Sequence, residues 1–229
     1  MEEVVGERAT PGLAGRIADG VCRRAFSSPE ATAYELTIAP ALAEALEPAL
    51  RPCLRGARLI DIGCGGGQIA KRLAHSGFSV VGIDPSRAQV RRFARAGGLG
   101  TRPAQARAEA LPFPSESFES LYSSCAWKHW PMPHLGIAEC VRVTRSGGSL
   151  AVIEIDGTAS ADEFWAFART SRIPLGLRRA YLRFAMRTVV GVAPTRDEFA
   201  RSFDGLPLVG LDVSRIEGLP FLLATANVV

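Results

Sequence analysis

The chain has 229 residues, 47% hydrophobic and 22% charged, with a net charge of +4, which suits one large soluble domain with a substantial core. No Lys/Arg run has the length of a nucleic-acid tail, no apolar run is long enough to span a bilayer, and the acidic start Met1–Arg8 does not fit a secretory signal. The five cysteines (22, 53, 64, 125 and 140) form no Cys-x-x-Cys, so neither a disulfide framework nor a metal site is expected, and a reducing cytoplasm is the expected setting.

In chain order, residues 11–27 have loose helical spacing through Leu13, Ile17, Val21 and Phe26. Ser28-Pro29-Glu30 reads as a helix start. Pro40 and Pro48 divide 30–54 into two short helices, placed to cover the ligand edge of the sheet. Strands are expected over 57–62, 79–83, 104–107, 118–123 and 149–155. Helices are expected over 68–75, 86–96 and 134–144, with Gly97-Gly98 stopping the second. A helical segment over about 160–190 breaks the alternation. A helix over 195–203, capped by Thr195, leads into a closing hairpin over 206–213 and 219–226. Strands alternating with helices predict a doubly wound, mostly parallel sheet with right-handed crossovers.

The richest stretch runs from Leu59 to Ala70. Leu59, Ile60 and Ile62 suit a fully buried parallel strand. Gly63, Gly65, Gly66 and Gly67 remove side chains where the backbone turns and approaches a ligand. The loop ends at a helix N-terminus, which favours an anionic group. Phe78–Asp84 is a second strand ending in a carboxylate. Asp84 lies about twenty residues beyond the glycines, the spacing at which an acid accepts from ribose hydroxyls. A nucleoside cofactor is expected. Gly65-x-Gly67-x-x-Ala70 also fits one form of the dinucleotide fingerprint, which leaves an NAD-dependent oxidoreductase open, although no clear Tyr-x-x-x-Lys pair accompanies it.

Asp61-x-Gly63-x-Gly65-x-Gly67 resembles the first motif of class I S-adenosylmethionine (SAM) methyltransferases. Ala108–Pro114 with Ser117-Phe118-Glu119 resembles that family's segment between its third and fourth strands. Glu139–Gly148 resembles the helix and glycine turn before its fifth strand. The order holds over about 57–156, and the nearest likeness is to the branch that includes quinone-biosynthesis and natural-product enzymes. The resemblance implies a seven-stranded sheet closed by an antiparallel hairpin. It divides the single domain into N-terminal cover helices (1–54), a cofactor-binding core (57–156), a helical lid (157–194) and a closing helix and hairpin (195–229).

The same resemblance implies a set of cofactor residues. The backbone of Gly63, Cys64 and Gly65 would approach the methionine end of the cofactor. Asp61 would orient that loop and hold the ammonium, or merely brace the loop. Asp84 would take the ribose diol, or else cap the helix after it. Pro85 would pack on the adenine, Ala108 and Glu109 would reach its edge, and Ser124 would lie along the methionine portion. Arg107 occupies a position where the family usually carries an acid, and arginine offers no acceptor.

After the fourth strand, Trp127 and Trp130 are placed to wall the transfer pocket. His129 is the candidate general base, since imidazole titrates near physiological pH, with a packing role as its alternative. In 157–194, Trp165 and Tyr181 are candidate substrate contacts. Leu177, Tyr181, Phe184 and Thr188 share one helical face and Arg179, Arg183 and Arg187 another. That pattern suits a lid, a homodimer surface in place of a monomer, or peripheral membrane contact through 175–190. The expectation is a SAM-dependent methyltransferase for a small, largely apolar acceptor, possibly aromatic, with oxygen preferred to carbon or nitrogen and no nucleic-acid partner. The rivals are a catalytically silent protein of the same fold and the NAD-dependent enzyme.

Overall fold

The computed structural model describes residues 29–229. The helix expected over 11–27, the Ser28 cap and Cys22 lie outside the described residues. The first two helices are α1 (Pro29–Thr37) and α2 (Ala39–Leu50). Pro40 sits in the first turn of α2 and marks the break between them. Pro48 does not end α2 as expected: the helix carries it inside its last turn and forgoes that backbone donor. Leu46 and Leu50, both fully buried, hold that turn to the core.

The strands are β1 (Arg58–Ile62), β2 (Ser79–Asp84), β3 (Thr101–Gln105), β4 (Phe118–Ser124), β5 (Thr144–Ile155), β6 (Leu208–Arg215) and β7 (Phe221–Val228). They form one sheet in the order β3-β2-β1-β4-β5-β7-β6. The first five are parallel, and β7 runs antiparallel to both β5 and β6. The expected seven-stranded sheet with a closing hairpin is present. Strand β3 starts and ends earlier than its composition suggested and includes Pro103. An edge strand tolerates the missing donor, and β3 is that edge.

The crossover helices are α3 (Gln68–His75), α4 (Arg87–Ala96) and α5 (Pro133–Val143). After β5 come α6 (Ala161–Thr170), α7 (Arg178–Thr188) and α8 (Arg196–Arg201). Thr195 caps α8 and forms a capping box with Glu198. Side-chain alternation splits the core in two. Leu59, Tyr122 and Ala151 face one cluster with α2, α3, α6 and α7, while Ile60, Leu121 and Val152 face the other with α5 and α8. The carboxyl ends of β1, β2 and β4 therefore open between two packed layers, at the point where the strand order reverses. No helix among the described residues is long and apolar enough to cross a membrane.

Candidate functional site

The glycine loop leaves the end of β1 and is tied to its neighbour strand. The amides of Gly63 and Cys64 both donate to the Ile83 carbonyl, at 2.7 and 3.0 Å. Gly67 closes the loop at φ 75° and caps α3. A side chain there would be strained and would strike the Phe93 ring. Asp84 clamps the other side. Its Oδ2 accepts from the Gly65 amide at 3.0 Å and its Oδ1 from the Ser86 amide at 2.8 Å. The cap of α4 itself is Ser86, whose hydroxyl accepts from the Gln89 amide. Asp84 is thus committed to the loops rather than to the helix. Burial raises its carboxyl to about 6, against the pull of the Ser86 and Gly65 amides.

A cavity of about 540 Å³ opens over these strand ends. Gly63, Gly65, Asp84, Pro85, Ala108, Glu109 and Ser124 all line it, as do His129 and Trp130. A smaller recess of about 60 Å³ continues from it beneath the glycine loop, lined by Asp61 and Cys64. The cofactor residues expected from sequence are therefore brought together around two adjoining spaces that share Gly63, Gly65 and Ser124 as walls. Two further residues belong to them that sequence reasoning missed, Tyr34 and Glu35 of α1.

Asp61 stands on β1 opposite Gly82 of β2 and Tyr122 of β4. It is 2% exposed. Burial lifts its carboxyl to about 8, the nearby Tyr122 hydroxyl opposes this in part, and the charge of Asp84 adds to it. Asp61 Oδ1, the Tyr122 hydroxyl and Glu35 Oε2 are buried without hydrogen-bond partners among the described residues. Unmet acceptors of this kind are costly unless a donor arrives. A recess with two orphaned carboxylate oxygens fits the ammonium of an amino-acid group. On the far side, Gln105 is fixed by a bond from its Nε2 to the Pro85 carbonyl at 3.0 Å. Glu109 does not sit in solvent. Its side chain is 7% exposed, with Oε2 3.7 Å from Arg107 Nε and Oε1 accepting from the Met132 amide at 3.3 Å. Glu109 thus brings a carboxylate to the cavity wall two residues after Arg107.

Beyond β4 the chain turns through Cys125, at φ 53°, into a short turn over Trp127–His129. Lys128 and Glu154 hold this turn from below as a buried ion pair at 2.7 Å. His129 reaches the cavity, but burial and the adjacent Lys128 charge lower it to about 3. A lowered imidazole is a weaker proton acceptor, so this direction favours the packing alternative over the general-base role expected from its unperturbed value. Trp127 also departs from expectation. Its indole nitrogen donates to Ser202 Oγ at 3.2 Å and its ring packs edge-on against Phe199, away from the cavity. Trp165 is half-buried on α6 and lines neither space. Tyr181 likewise lines neither. It packs into the core beside Cys125, and burial with that thiol's charge raises it to about 12. Phe184 points outward, 60% exposed, because α7 turns Ala185 and Met186 to the core instead.

Comparison with known proteins points the same way. Residues 60–152 match a family described as a methyltransferase domain. A ubiquinone biosynthesis O-methyltransferase of Rhizobium etli is 33% identical over 125 residues, covering 53% of this chain and 50% of the relative. One from Agrobacterium fabrum is 33% identical over 118 residues, 50% of this chain and 47% of the relative. The chain spans about half the length of the curated relatives it matches. Among solved structures, a SAM-dependent methyltransferase of Thermotoga maritima superposes with a TM-score of 0.66 at 16% identity, over 91% of this chain and 98% of that one. A geranyl diphosphate C-methyltransferase of Streptomyces coelicolor superposes at 0.55 with 18% identity, over 81% and 79% of the chains. These structural likenesses carry the fold. The antiparallel β7, inserted where a dinucleotide-binding sheet continues in parallel, argues against the NAD alternative. The glycine loop, the sheet order and the domain match agree: residues 60–152 match a methyltransferase domain, and the chain has the fold of the class I SAM-dependent methyltransferases.

Proposed function

We propose that the chain transfers a methyl group from SAM to a small, largely apolar acceptor, with oxygen as the acceptor atom. The observation that supports the reading is the pair of adjoining spaces at the strand ends. Asp84 would take the ribose diol, Pro85 and Ala108 would flank the adenine, and the orphaned acids would receive the amino group. When bound, the cofactor supplies an electrophilic methyl on a positive sulfonium. This chain's residues orient it, shield it from water and hold the acceptor in line, the main route to acceleration for such a step.

The O-methyltransferase names of the sequence relatives support oxygen. The low value of His129 narrows the acceptor further. A hydroxyl that ionises on its own, such as an acidic phenol or an enol, needs no strong base. Trp130, Ala126 and Cys125 line the cavity beside His129 and suit a flat apolar body. The segment 157–194 would cover it, with Tyr181 packed behind Cys125, which lines the cavity.

Calorimetry with S-adenosylhomocysteine (SAH), SAM and NAD tests the cofactor, and a panel of phenols graded by acidity tests the acceptor. Micromolar SAH binding without NAD heat, with turnover confined to the more acidic phenols, is the expected result. Binding of SAH with no turnover on any acceptor would favour a catalytically silent binding protein instead.

A further inference from the structure

Helix α1 lies outside the matched domain, yet it is fastened to the glycine loop, to α4 and to the segment after α6. Glu35 Oε1 accepts from the Gly66 amide at 3.0 Å. Thr32 Oγ1 accepts from Arg92 Nη2 of α4 at 2.8 Å. The Thr37 carbonyl accepts from the Arg172 amide, in the segment after α6, at 3.0 Å. Tyr34 lines both the large cavity and the recess. A cofactor seated at the strand ends is therefore covered by α1.

Within that cover Glu35 is the acid that lines the recess. It is 5% exposed, and its Oε2 is buried without a hydrogen-bond partner among the described residues. Across the recess Asp61 Oδ1 is in the same condition. A side chain at Gly66 would collide with the Glu35 carboxyl, so the glycine there gives the acid its seat. The nearby cation, Lys71, donates to the Gly66 carbonyl at 2.8 Å. The recess, at about 60 Å³, has room for a group of ammonium size. Two buried acids facing one small space, each with an unused oxygen, form a receptor for a compact cation with several donors.

We propose that Glu35 binds the amino group of the cofactor's methionine end, together with Asp61, and that this contact latches α1 over the loaded site. The inference rests on the SAM reading. It adds a ligand-binding residue from outside the matched domain and explains how a covered site closes. Without the amino group, the Glu35 side chain is held to the glycine loop through the Gly66 amide. With it, the Glu35 carboxylate gains a charge-assisted bond and the unused oxygen is satisfied.

The test compares Glu35→Gln with the parent chain against three ligands by calorimetry: SAM, SAH and 5′-methylthioadenosine. The last keeps the adenosine and sulfur but lacks the amino-acid end. Glutamine retains an acceptor for the Gly66 amide, so the fold is kept, and a thermal melt checks that. The expected result is a loss of about 10- to 100-fold in SAM and SAH affinity, with 5′-methylthioadenosine unchanged within about twofold. Amide exchange over 29–37, slowed by SAH in the parent, would be slowed less in the variant. Unchanged affinity for all three ligands would overturn the role of Glu35 and leave the cofactor reading standing. Equal losses for 5′-methylthioadenosine would also overturn it, because Glu35 would then act only by bracing the loop. A parent chain that binds none of the three would sink the cofactor reading, and the latch with it.

Discussion

Lys128 and Glu154 pair at 2.7 Å with side chains 5% and 0% exposed. The pair also organises backbone. Lys128 Nζ donates to the Cys125 carbonyl at 3.2 Å, and Glu154 accepts from the Lys128 and Ile155 amides at 3.1 and 2.7 Å. The turn that lines the acceptor side of the cavity is thus pinned to β5 from beneath. Removing one partner strands a buried charge, so Lys128→Met should destabilise the chain by about 3–5 kcal/mol in urea unfolding. Pairing it with Glu154→Leu removes the stranded charge and should recover part of that loss. If Lys128→Met melts like the parent, the ion pair does not hold the turn.

Asp84 accepts from Gly65 and Ser86 and faces the cavity. Asp84→Asn keeps the shape but has one acceptor oxygen in place of two. Each lost bond to a charged acceptor is worth about 1.5–3 kcal/mol, so SAH affinity should fall at least tenfold. If Asp84 holds the ribose diol as proposed, 5′-methylthioadenosine should weaken in parallel. That separates Asp84 from Glu35 in the same calorimeter. Retained affinity for both ligands would mean the ribose lies elsewhere.

Trp127 and Trp130 are three residues apart and go to opposite places. The short turn between them sends Trp127 to Ser202 and Phe199 and Trp130 to the cavity wall. Trp127→Ala should therefore cost about 2 kcal/mol or more of stability through lost packing, with SAH affinity near that of the parent. A large loss of affinity at unchanged stability would reverse the assignment.

The features readable in the sequence had local causes. The glycine loop declares itself because Gly67 must adopt a left-handed backbone against Phe93. Asp84 declares itself because the strand and loop fix its distance from the glycines. The buried strands announce themselves by apolar runs. Glu35 gave no such sign, since a lone acid on a short helix looks solvated until packing sets it under Gly66. The inward turn of Glu109 was not readable either, because it depends on the Met132 amide, a partner distant in sequence. The lowering of His129 was not readable from its unperturbed value, as burial and Lys128 act only in the folded chain. Trp165 and Phe184 shared an apolar pattern with the lid face, but the orientation of α6 and α7 is set by Phe164, Phe167 and Ala185 in the core.

The buried acid on β1 gives stability a pH dependence of definite sign. Asp61 rises from its usual 3.8 to about 8 on folding. Above 3.8 the unfolded chain has released a proton that folded Asp61 keeps, so raising the pH favours unfolding until the folded carboxyl titrates. His129 works the other way. It falls from 6.5 to about 3, so below 6.5 the unfolded chain gains a proton that the folded chain refuses, and lowering the pH favours unfolding. Between about pH 4 and 6.5 the two oppose each other. From 6.5 to 8 His129 no longer contributes and Asp61 does. The ligand-free protein should therefore lose stability across that upper window, by up to about 1.4 kcal/mol per pH unit, and its melting temperature should fall with it. Asp61→Asn should flatten the decline, because the amide has no proton to keep. An ammonium in the recess would favour the charged carboxyl, so SAH binding near pH 7 should release a proton. Calorimetry in phosphate and in Tris, whose ionisation heats differ, reads that proton directly. A parent profile flat from pH 6.5 to 8, with identical binding heats in both buffers, would show that Asp61 is already ionised in the empty site.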